Sequence, residues 1–269
     1  MQIQNHSMIA FSIHRYQSNI TSLSKTLDKL ASGLGIQQSS DNAAGLSISE
    51  TLRAQIRGLS QSQRNMQDGL SVLKSAEEGL MNVSHLLQRI RELAVQNASD
   101  TLNADDHNAS QQELEQLLQA IDDTASKLEF NTQKILGENR PLILQVGANP
   151  GQIISVDMVK MDTESLGING ANLLTRADAE QLITKVDKAL KNLTFHLTNI
   201  GSDYEAIEHH LNNAMLKEVN LTTSESLLRD TNVAREMMNY ISGSIRQQGD
   251  YLLISHVNRN TEEILKLLY

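Results

Sequence analysis

Charged side chains of the kinds that do chemistry come together in the segment SSDNAAGLSISETLRAQIRGL, residues 39–59. Asp41 and Glu50 supply carboxylates, and Arg53 and Arg57, spaced one helical turn apart, supply guanidinium groups. Such groups can exchange protons with a substrate, hold a nucleic acid, or form ion pairs with another protein molecule. The spacing alone leaves these alternatives open beside a fourth, a charged helix face that only meets solvent.

Common sequence patterns of catalytic and metal sites are missing from the chain. It has no His-Glu-x-x-His, no Gly-x-x-x-x-Gly-Lys-Ser/Thr, no Gly-x-Gly-x-x-Gly and no Gly-x-Ser-x-Gly. His209 and His210 are adjacent, so on a helix they point about 100° apart and are poorly placed to share a metal. There is no cysteine, which excludes thiolate nucleophiles and disulfides. We therefore predict that the protein is not an enzyme and uses no cofactor and no metal ion.

Composition and charge exclude two further classes of partner. The chain has 23 Lys and Arg against 32 Asp and Glu, a net charge of −9, and five Tyr, three Phe and no Trp, which argues against nucleic-acid binding. No apolar run approaches the ~20 residues that span a bilayer, so we expect no membrane contact. The start, residues 1–5, lacks the pattern of a cleavable signal peptide. We expect the protein either to stay inside the cell or to leave by a route that reads no such signal.

Long amphipathic helices must position the charged segment. The only prolines are Pro141 and Pro150, and a proline costs ~3 kcal/mol inside a helix, so long helices are permitted on both sides of the centre. Apolar residues recur in steps of three and four, which predicts coiled coils or bundles. Four stripes have this spacing: Ile9, Ile13, Tyr16, Ile20, Leu23, Leu27 and Leu30; Met66, Leu70, Leu73, Ala76, Leu80, Val83, Leu87, Ile90 and Ala94; Leu114, Leu118, Ile121, Ala125 and Leu128; and Leu182, Val186, Leu190, Leu193, Leu197, Ile200, Tyr204, Ile207, Leu211 and Ala214.

The carboxy-terminal segment is periodic too, through Val233, Met237, Ile241, Ile245, Leu252, Ile264 and Leu268. Both chain ends are therefore amphipathic, and such stripes need a partner. Near the middle, apolar residues alternate on either side of GANPG (147–151), which predicts a β-hairpin whose apolar face packs on the helices.

Two local features of the 39–59 segment suggest how its helix is built. Asp41 is a plausible N-cap, because its side chain can accept free backbone N–H groups. Gly45 and Gly58 weaken a helix by ~1 kcal/mol each relative to alanine. A helix tolerates such residues where another backbone comes close or where it bends.

Several motifs, in order along the chain, resemble bacterial flagellin. LASGLGIQQSSDNAAGLSISETLRAQIRGLSQSQRNMQDGLSVLKSAEEGL resembles its amino-terminal core, followed by LLQRIRELAVQNASDT and EFNTQKIL. QVGANPGQIISVDM resembles its hairpin, and LTTSESLLRDTNVAREMM its carboxy-terminal signature. The resemblance implies a mainly α fold, a long helical hairpin or coiled-coil bundle with one small central β-hairpin at about 141–159. It also implies an inner terminal coiled-coil domain of residues 1–44 and 225–269 and a helical bundle core of residues 45–224.

The resemblance implies a structural subunit that polymerises into the helical flagellar filament for motility. Such a subunit is secreted unfolded through the flagellar export apparatus, with an export chaperone on its C-terminal segment, and meets hook-associated and cap proteins outside the cell. A hook–filament junction protein and a flagellin-like surface protein that binds polysaccharide are the alternatives. The 39–59 segment then becomes a surface for subunit contact. The residues assigned to it are Asp41, Ala43, Ala44, Gly45, Arg53 and Arg57.

Departures from the family pattern affect both ends and the middle of the chain. Gly35 stands where flagellins usually have Arg, and the tail carries Thr261-Glu262-Glu263 and adds Tyr269. The variable outer domains are missing, since only about 138–176 separates the two halves of the match.

A last implication concerns a host receptor. The segment QRIRELAVQ, residues 88–96, matches the part of flagellin that the flagellin-sensing Toll-like receptor binds, and the matching contact residues are Arg89, Leu93 and Glu113. Arg89 and Leu93 lie one helical turn apart, so we expect them to share a face. We expect Glu113 on the next, antiparallel helix, and the native role of all three to be contact between subunits.

Overall fold

The structure, a computed structural model, describes the backbone of residues 5–268 and the side chains of residues 9–257 and 259. Long helices dominate this part of the chain: α1 is Asn5–Ser32, α2 Ser39–Asn97, α3 Ala104–Lys127, α4 Arg176–Arg229 and α5 Val233–Leu268. Four short strands lie between α3 and α4: β1 is Glu129–Phe130, β2 Gln133–Lys134, β3 Arg140–Gln145 and β4 Ile153–Met158. The prediction of a mainly α fold with a central hairpin is confirmed.

The chain divides into two compact units, which we call the bundle unit (Gln55–Val219) and the terminal unit (Met1–Ala54 with Asn220–Tyr269). In the bundle unit, the stripes predicted from sequence form the core. Leu87 on α2, Leu114 on α3 and Leu193 on α4 are each 0% exposed. An ion pair between Arg89 and Glu113 joins α2 to α3, and one between Arg91 and Asp187 joins α2 to α4. Three helices therefore surround one apolar interior.

The β3–β4 hairpin has one buried and one exposed face, as alternation predicts. Its strands pair antiparallel, with Leu142 opposite Val156 and Leu144 opposite Ile154. Leu144, Val156 and Met158 are buried. Ile143 and Ile153 point to solvent, with 61% and 52% exposed.

Glycines on α2 make room for the hairpin and for the chain that precedes it. A Cβ added at Gly58 would lie 2.7 Å from the Cβ of Ala148, at the hairpin turn. At Gly69 it would overlap Leu144, and at Gly79 it would meet Leu128 at 2.5 Å. Of the two reasons considered for a glycine in this helix, close approach of another backbone applies at Gly58, since the Cα of Ala148 would be only 3.1 Å from the added atom.

The second hairpin, β1–β2, is not predicted by the sequence analysis. Its strands pair Glu129 with Lys134 and Phe130 with Gln133. The two turn residues, Asn131 and Thr132, have positive φ angles of 49° and 65°. Such a turn usually carries Asn-Gly, and threonine at the second position hides the signal.

In the terminal unit, α1 packs against α5 through a mixed seam. The less exposed described positions of α1 are Ile9, Ser12, Tyr16, Asn19, Leu23, Thr26, Lys29 and Leu30, so polar residues are interspersed with apolar ones. Asp250 on α5, which is 3% exposed, accepts from the amide of Asn19 and pairs with Arg15 at 3.2 Å. The predicted α1 stripe is therefore split, because Ile13, Ile20 and Leu27 remain 40%, 40% and 48% exposed.

The loops after α1 and after α4 pair with each other within the terminal unit. The Gly35 N–H donates to the Arg229 carbonyl at 2.6 Å, and the Thr231 N–H donates to the Gly33 carbonyl at 2.9 Å. A Cβ at Gly35, the position that departs from the family pattern, would lie 3.3 Å from the Asp230 carbonyl oxygen. Of the other departures, Tyr269 and the side chains of residues 261–263 lie outside the described residues.

Candidate assembly interface

The long part of α2 begins at Asn42 rather than at Asp41. Asn42 has non-helical angles, φ −163° and ψ 96°, and its side chain accepts the Gly45 N–H at 2.9 Å. Asn42 is therefore the N-cap, and the predicted capping role of Asp41 is wrong. Asp41 instead accepts N–H groups from Gln37 and Gln38, at 3.3 and 3.2 Å, and these bonds lower its pKa. Asp41 thus stabilises the turn that precedes the helix.

The small residues that follow differ in their surroundings. Ala43 and Ala44 are exposed, and the bulky Ile48 next to them is 54% exposed. Gly45 is buried, and a Cβ there would lie 2.8 Å from both the Asn42 amide nitrogen and the Ile36 side chain. The space beside Gly45 is therefore filled by Asn42 and Ile36 of the same chain. Ala43 and Ala44, by contrast, expose only their short side chains to solvent.

Arg53 belongs to an ion-pair network inside the terminal unit. Its Nε donates to Glu225 at 2.9 Å, and its Nη1 lies 3.8 Å from Glu50. Glu50 also accepts from the buried Arg229 at 2.6 Å, so carboxylates and guanidinium groups alternate along the network. Arg57 is exposed, and the described residues offer it no ion pair. The charges of the 39–59 segment thus separate into the turn contact of Asp41, the internal network of Glu50 and Arg53, and the solvent-facing Arg57.

The receptor-matching residues are brought together only in part. Arg89 donates to Glu113 through Nε at 2.9 Å and through Nη2 at 2.7 Å, and both side chains are about half exposed. The hydrogen bonds to Glu113 and Glu92 raise the pKa of Arg89, which stays charged. Leu93, expected beside them on the surface, is only 2% exposed and belongs to the core of the bundle unit. The exposed part of this predicted site is therefore the Arg89–Glu113 ion pair alone, without the apolar side chain of Leu93.

Among the described residues of the terminal unit, a row of exposed apolar side chains runs along α5, and we call it the α5 outer face. Five residues form it: Met237, Met238, Ile241, Ile245 and Leu252, which are 51%, 65%, 52%, 64% and 67% exposed. At 100° per residue these five lie within an arc of about 100° on the helix. The residues of α5 that contact α1, such as Gly243 beside Leu23 and Asp250 beside Asn19, lie on the opposite side. The described part of the predicted α5 stripe therefore points away from α1, while the side chains of Ile264 and Leu268 lie outside the described residues.

Sequence periodicity identified most of the α5 outer face but not its direction. Val233, Met237, Ile241, Ile245 and Leu252 were predicted as one stripe, and Val233 is 57% exposed like the others. Met238, which lies one residue off the stripe, was missed. The mixed seam with α1 was missed as well, because Gln247 and Asp250 carry no apolar signal.

The described residues hold no other arrangement with an evident chemical use. No helix among them is apolar over a long enough stretch to cross a membrane. No cluster of three or more potential metal-ligating side chains is found in the same part of the chain. The candidate functional site therefore consists of the exposed surfaces described above: the 39–59 segment, the Arg89–Glu113 ion pair and the α5 outer face.

Comparison with known proteins identifies the family to which the chain is similar. The profile of the bacterial flagellin N-terminal helical region matches residues 4–140, and that of the bacterial flagellin C-terminal helical region matches residues 183–268. The flagellin of Halalkalibacterium halodurans is 36% identical over 270 residues, which cover 99% of each chain. Bacillus subtilis flagellin is 32% identical over 300 residues, 98% of this chain and 99% of its own.

A solved structure supports the same family. The crystal structure of Bacillus cereus flagellin superposes with a TM-score of 0.52 at 34% identity, covering 56% of this chain and 88% of that one. Between the two matched regions, the described residues 141–182 form the hairpin, a connecting segment and the start of α4, with no separate variable domain. The chain belongs to the bacterial flagellin family, whose members are structural subunits of the extracellular flagellar filament.

Proposed function

We propose that copies of this flagellin join in the filament chiefly through the α5 outer face, with Ile13, Ile20 and Leu27 of α1 as a second apolar strip. The observation that carries the proposal is the exposure of five large apolar side chains on the side of α5 that faces away from α1. A surface of this kind on a soluble chain is typical of a protein–protein contact. The filament supplies the partner, because it is built from copies of the chain.

The α5 outer face can contribute a substantial part of the free energy of assembly. Complete burial of an Ile, Leu or Met side chain stabilises by about 1.5–3 kcal/mol relative to full exposure. The α5 outer face is half to two-thirds exposed, so its five residues together offer several kcal/mol. Part of this offsets the loss of freedom on association.

The arrangement of the two sides of α5 is compatible with an open polymer. On α5 the side that contacts α1 and the outer face lie opposite each other, so each copy can be covered on one side by its own α1 and on the other by a neighbour. Contacts between unlike surfaces generate helical filaments when the rotation does not close. We assign residues 1–44 and 225–269 to an inner coiled coil of the filament and residues 45–224 to the surrounding bundle. The pairing of α1 with α5 supports the first assignment.

The 39–59 segment supplies a further proposed contact with neighbouring subunits. The exposed Ala43 and Ala44 allow close approach, and Arg57 is available for an ion pair. Asp41, Gly45 and Arg53 act through their own chain, because the contacts described above hold the turn, the helix start and the network in place. Their part in assembly is to shape the surface that the neighbour meets.

Other partners follow from family membership alone. The export apparatus, an export chaperone on the C-terminal segment, and the hook-associated and cap proteins are proposed on that basis, as is secretion through the flagellar channel. No observation favours the junction-protein or polysaccharide-binding alternative.

Recognition by the flagellin-sensing Toll-like receptor is proposed through Arg89 and Glu113, with Leu93 supporting the surface from beneath. We expect Arg89→Ala to cost on the order of 1–2 kcal/mol in receptor binding. Equal affinity of wild type and the Arg89→Ala/Glu113→Ala variant would contradict this site.

The assembly proposal is tested by making the α5 outer face polar. We expect the Ile241→Ser/Ile245→Ser variant to remain monomeric where the wild type forms filaments, as measured by sedimentation and electron microscopy. The matched control is Asn239→Ser/Arg246→Ser, two exposed positions of α5 outside the outer face. It should polymerise like the wild type. Normal filaments from the isoleucine variant would contradict the proposal.

A further inference from the structure

The described methionines differ in exposure. In the bundle unit, Met66 is 0%, Met161 3% and Met158 8% exposed, whereas Met81 and Met215 are 45% and 41% exposed. In the terminal unit, Met237 and Met238 are 51% and 65% exposed. Since oxidants reach an exposed thioether first, these last two sulfur atoms are open to modification in the free subunit.

Their position gives such a modification a consequence. On a helical wheel at 100° per residue, Met237 and Met238 lie at the two edges of the α5 outer face, about 100° apart, with Ile241, Ile245 and Leu252 between them. Any molecule that covers the isoleucines therefore contacts one or both thioethers. Methionine suits such a contact because its side chain is flexible and polarisable.

We propose that Met237 and Met238 are sites of reversible oxidation by hydroperoxides, and that their oxidation in the free subunit blocks its addition to the filament. This rests on the proposed role of the α5 outer face in assembly. The sulfur lone pair attacks one peroxide oxygen, the O–O bond breaks, and a proton moves to the departing oxygen. The sulfur loses two electrons and becomes a sulfoxide, while hydrogen peroxide is reduced to water.

The sulfoxide opposes burial of the face. Its oxygen is a strong hydrogen-bond acceptor, and burying a polar group without a partner costs free energy. When both edges of the α5 outer face carry a sulfoxide, a neighbouring subunit cannot cover the isoleucines without also covering a polar oxygen. In the filament, the covered thioethers are shielded from the oxidant. Oxidation therefore acts on subunits before assembly, and reductases specific for the two sulfoxide epimers reverse it.

The test compares three proteins before and after hydrogen peroxide, with the oxidised sites mapped by mass spectrometry. The first is the wild type and the second is Met237→Leu/Met238→Leu, a swap of similar volume that removes the sulfur. The third, Met81→Leu/Met215→Leu, removes two methionines of the bundle unit that are 45% and 41% exposed. The readout is the critical concentration for polymerisation, measured by sedimentation.

Peroxide should raise the critical concentration of the wild type and of Met81→Leu/Met215→Leu by about tenfold or more, which corresponds to ~1.4 kcal/mol. It should leave that of Met237→Leu/Met238→Leu unchanged. Treating the oxidised wild type with both reductases should restore polymerisation. Met237 and Met238 in preformed filaments should oxidise more slowly than in monomer.

Two results overturn the inference. One is an unchanged critical concentration when both sulfoxides are present, and the other is an equal loss in Met237→Leu/Met238→Leu. If Met237→Leu/Met238→Leu does not polymerise even without oxidant, the test is the reductase treatment of the oxidised wild type. Failure of that treatment to restore polymerisation contradicts the inference. A wild type that never polymerises contradicts the assembly proposal instead.

Discussion

The bundle unit and the terminal unit carry apolar stripes of the same three-and-four spacing, but these stripes have different surroundings. In the bundle unit, Leu73, Leu87 and Leu193 are all 0% exposed. In the terminal unit, Ile241 and Ile245 are 52% and 64% exposed, and the seam between α1 and α5 contains the carboxylate of Asp250. Periodicity therefore predicts which residues share a face and leaves open whether the same molecule or another covers it.

Truncating one apolar side chain in each unit is the most direct test of this difference between the two units. Leu193→Ala should destabilise the monomer by about 2–5 kcal/mol, because it leaves a cavity in the bundle core. The matched substitution Leu252→Ala, at a residue 67% exposed on α5, should change monomer stability by less than about 0.5 kcal/mol. Urea unfolding of the monomer measures both. Equal losses would show that α5 is as tightly held as the bundle.

A second prediction concerns charge within the bundle unit, after β4. Burial by itself would raise the pKa of Asp162, but hydrogen bonds from Lys160 and Ser165 outweigh it and lower the pKa to about 2. A lowered pKa stabilises the fold above the ordinary value of 3.8, and this stability is lost as pH falls toward 2. Asp162→Asn should therefore cost about 2 kcal/mol at pH 7 and almost nothing at pH 2.

The control is Asp203, whose pKa is raised by burial and by the nearby Asp157. Its ionised form opposes folding, so Asp203→Asn should stabilise at pH 7, with the gain fading in acid. Urea unfolding across pH 2–7 tests both variants. The same sign for the two substitutions at pH 7 would refute this assignment.

A third prediction sharpens the account of the hairpin's packing. Gly58→Ala places a Cβ 2.7 Å from that of Ala148 and should destabilise by about 1–3 kcal/mol, although alanine is the better helix former. Gly201 on α4 has nothing within 4 Å of an added Cβ, so Gly201→Ala should stabilise by up to about 1 kcal/mol. Thermal unfolding of both variants gives the signs. Stabilisation by Gly58→Ala would contradict the close approach.

The smallest effect is expected in the terminal unit. Asp250→Asn removes the charge that Arg15 meets at 3.2 Å and keeps a polar partner for Asn19. Because Arg15 is half exposed, solvent screens the pair, and the loss should be about 0.5–1 kcal/mol and fall with added salt. A salt titration of hydrogen exchange in α1 measures it. A loss as large as that of Leu193→Ala would make this seam equivalent to a core.

Much of the fold follows from sequence because burial and periodicity coincide in the bundle unit. The stripe through Leu73 and Leu87 and the alternation through Leu144 and Val156 were predicted and are buried. The helix start was misplaced by one residue, since Asp41 and Asn42 are both good caps and only the backbone angles of Asn42 decide between them.

The candidate site was harder to predict. Arg53 and Arg57 look equivalent in sequence, but Glu225, far along the chain, engages only the first. Leu93 was expected at the surface because it shares a helix face with Arg89, but it lies beside Ile90 and Ala94 of the α2 stripe and is buried with them in the core. Long-range pairing of this kind leaves no local pattern.

The glycines of α2 have a mechanical consequence. Gly58, Gly69 and Gly79 are spaced by about three helical turns, and the neighbouring chain fits closely against each of them. A slide of the β3–β4 hairpin by one turn would bring side chains of α2 against it in place of both Gly58 and Gly69, while Gly79 holds Leu128 and Leu136 of the preceding chain in the same way. Small displacements are thus sterically blocked, and a shear force on the hairpin passes directly to the long helix beneath it. We expect the hairpin and α2 to move as one rigid part under load.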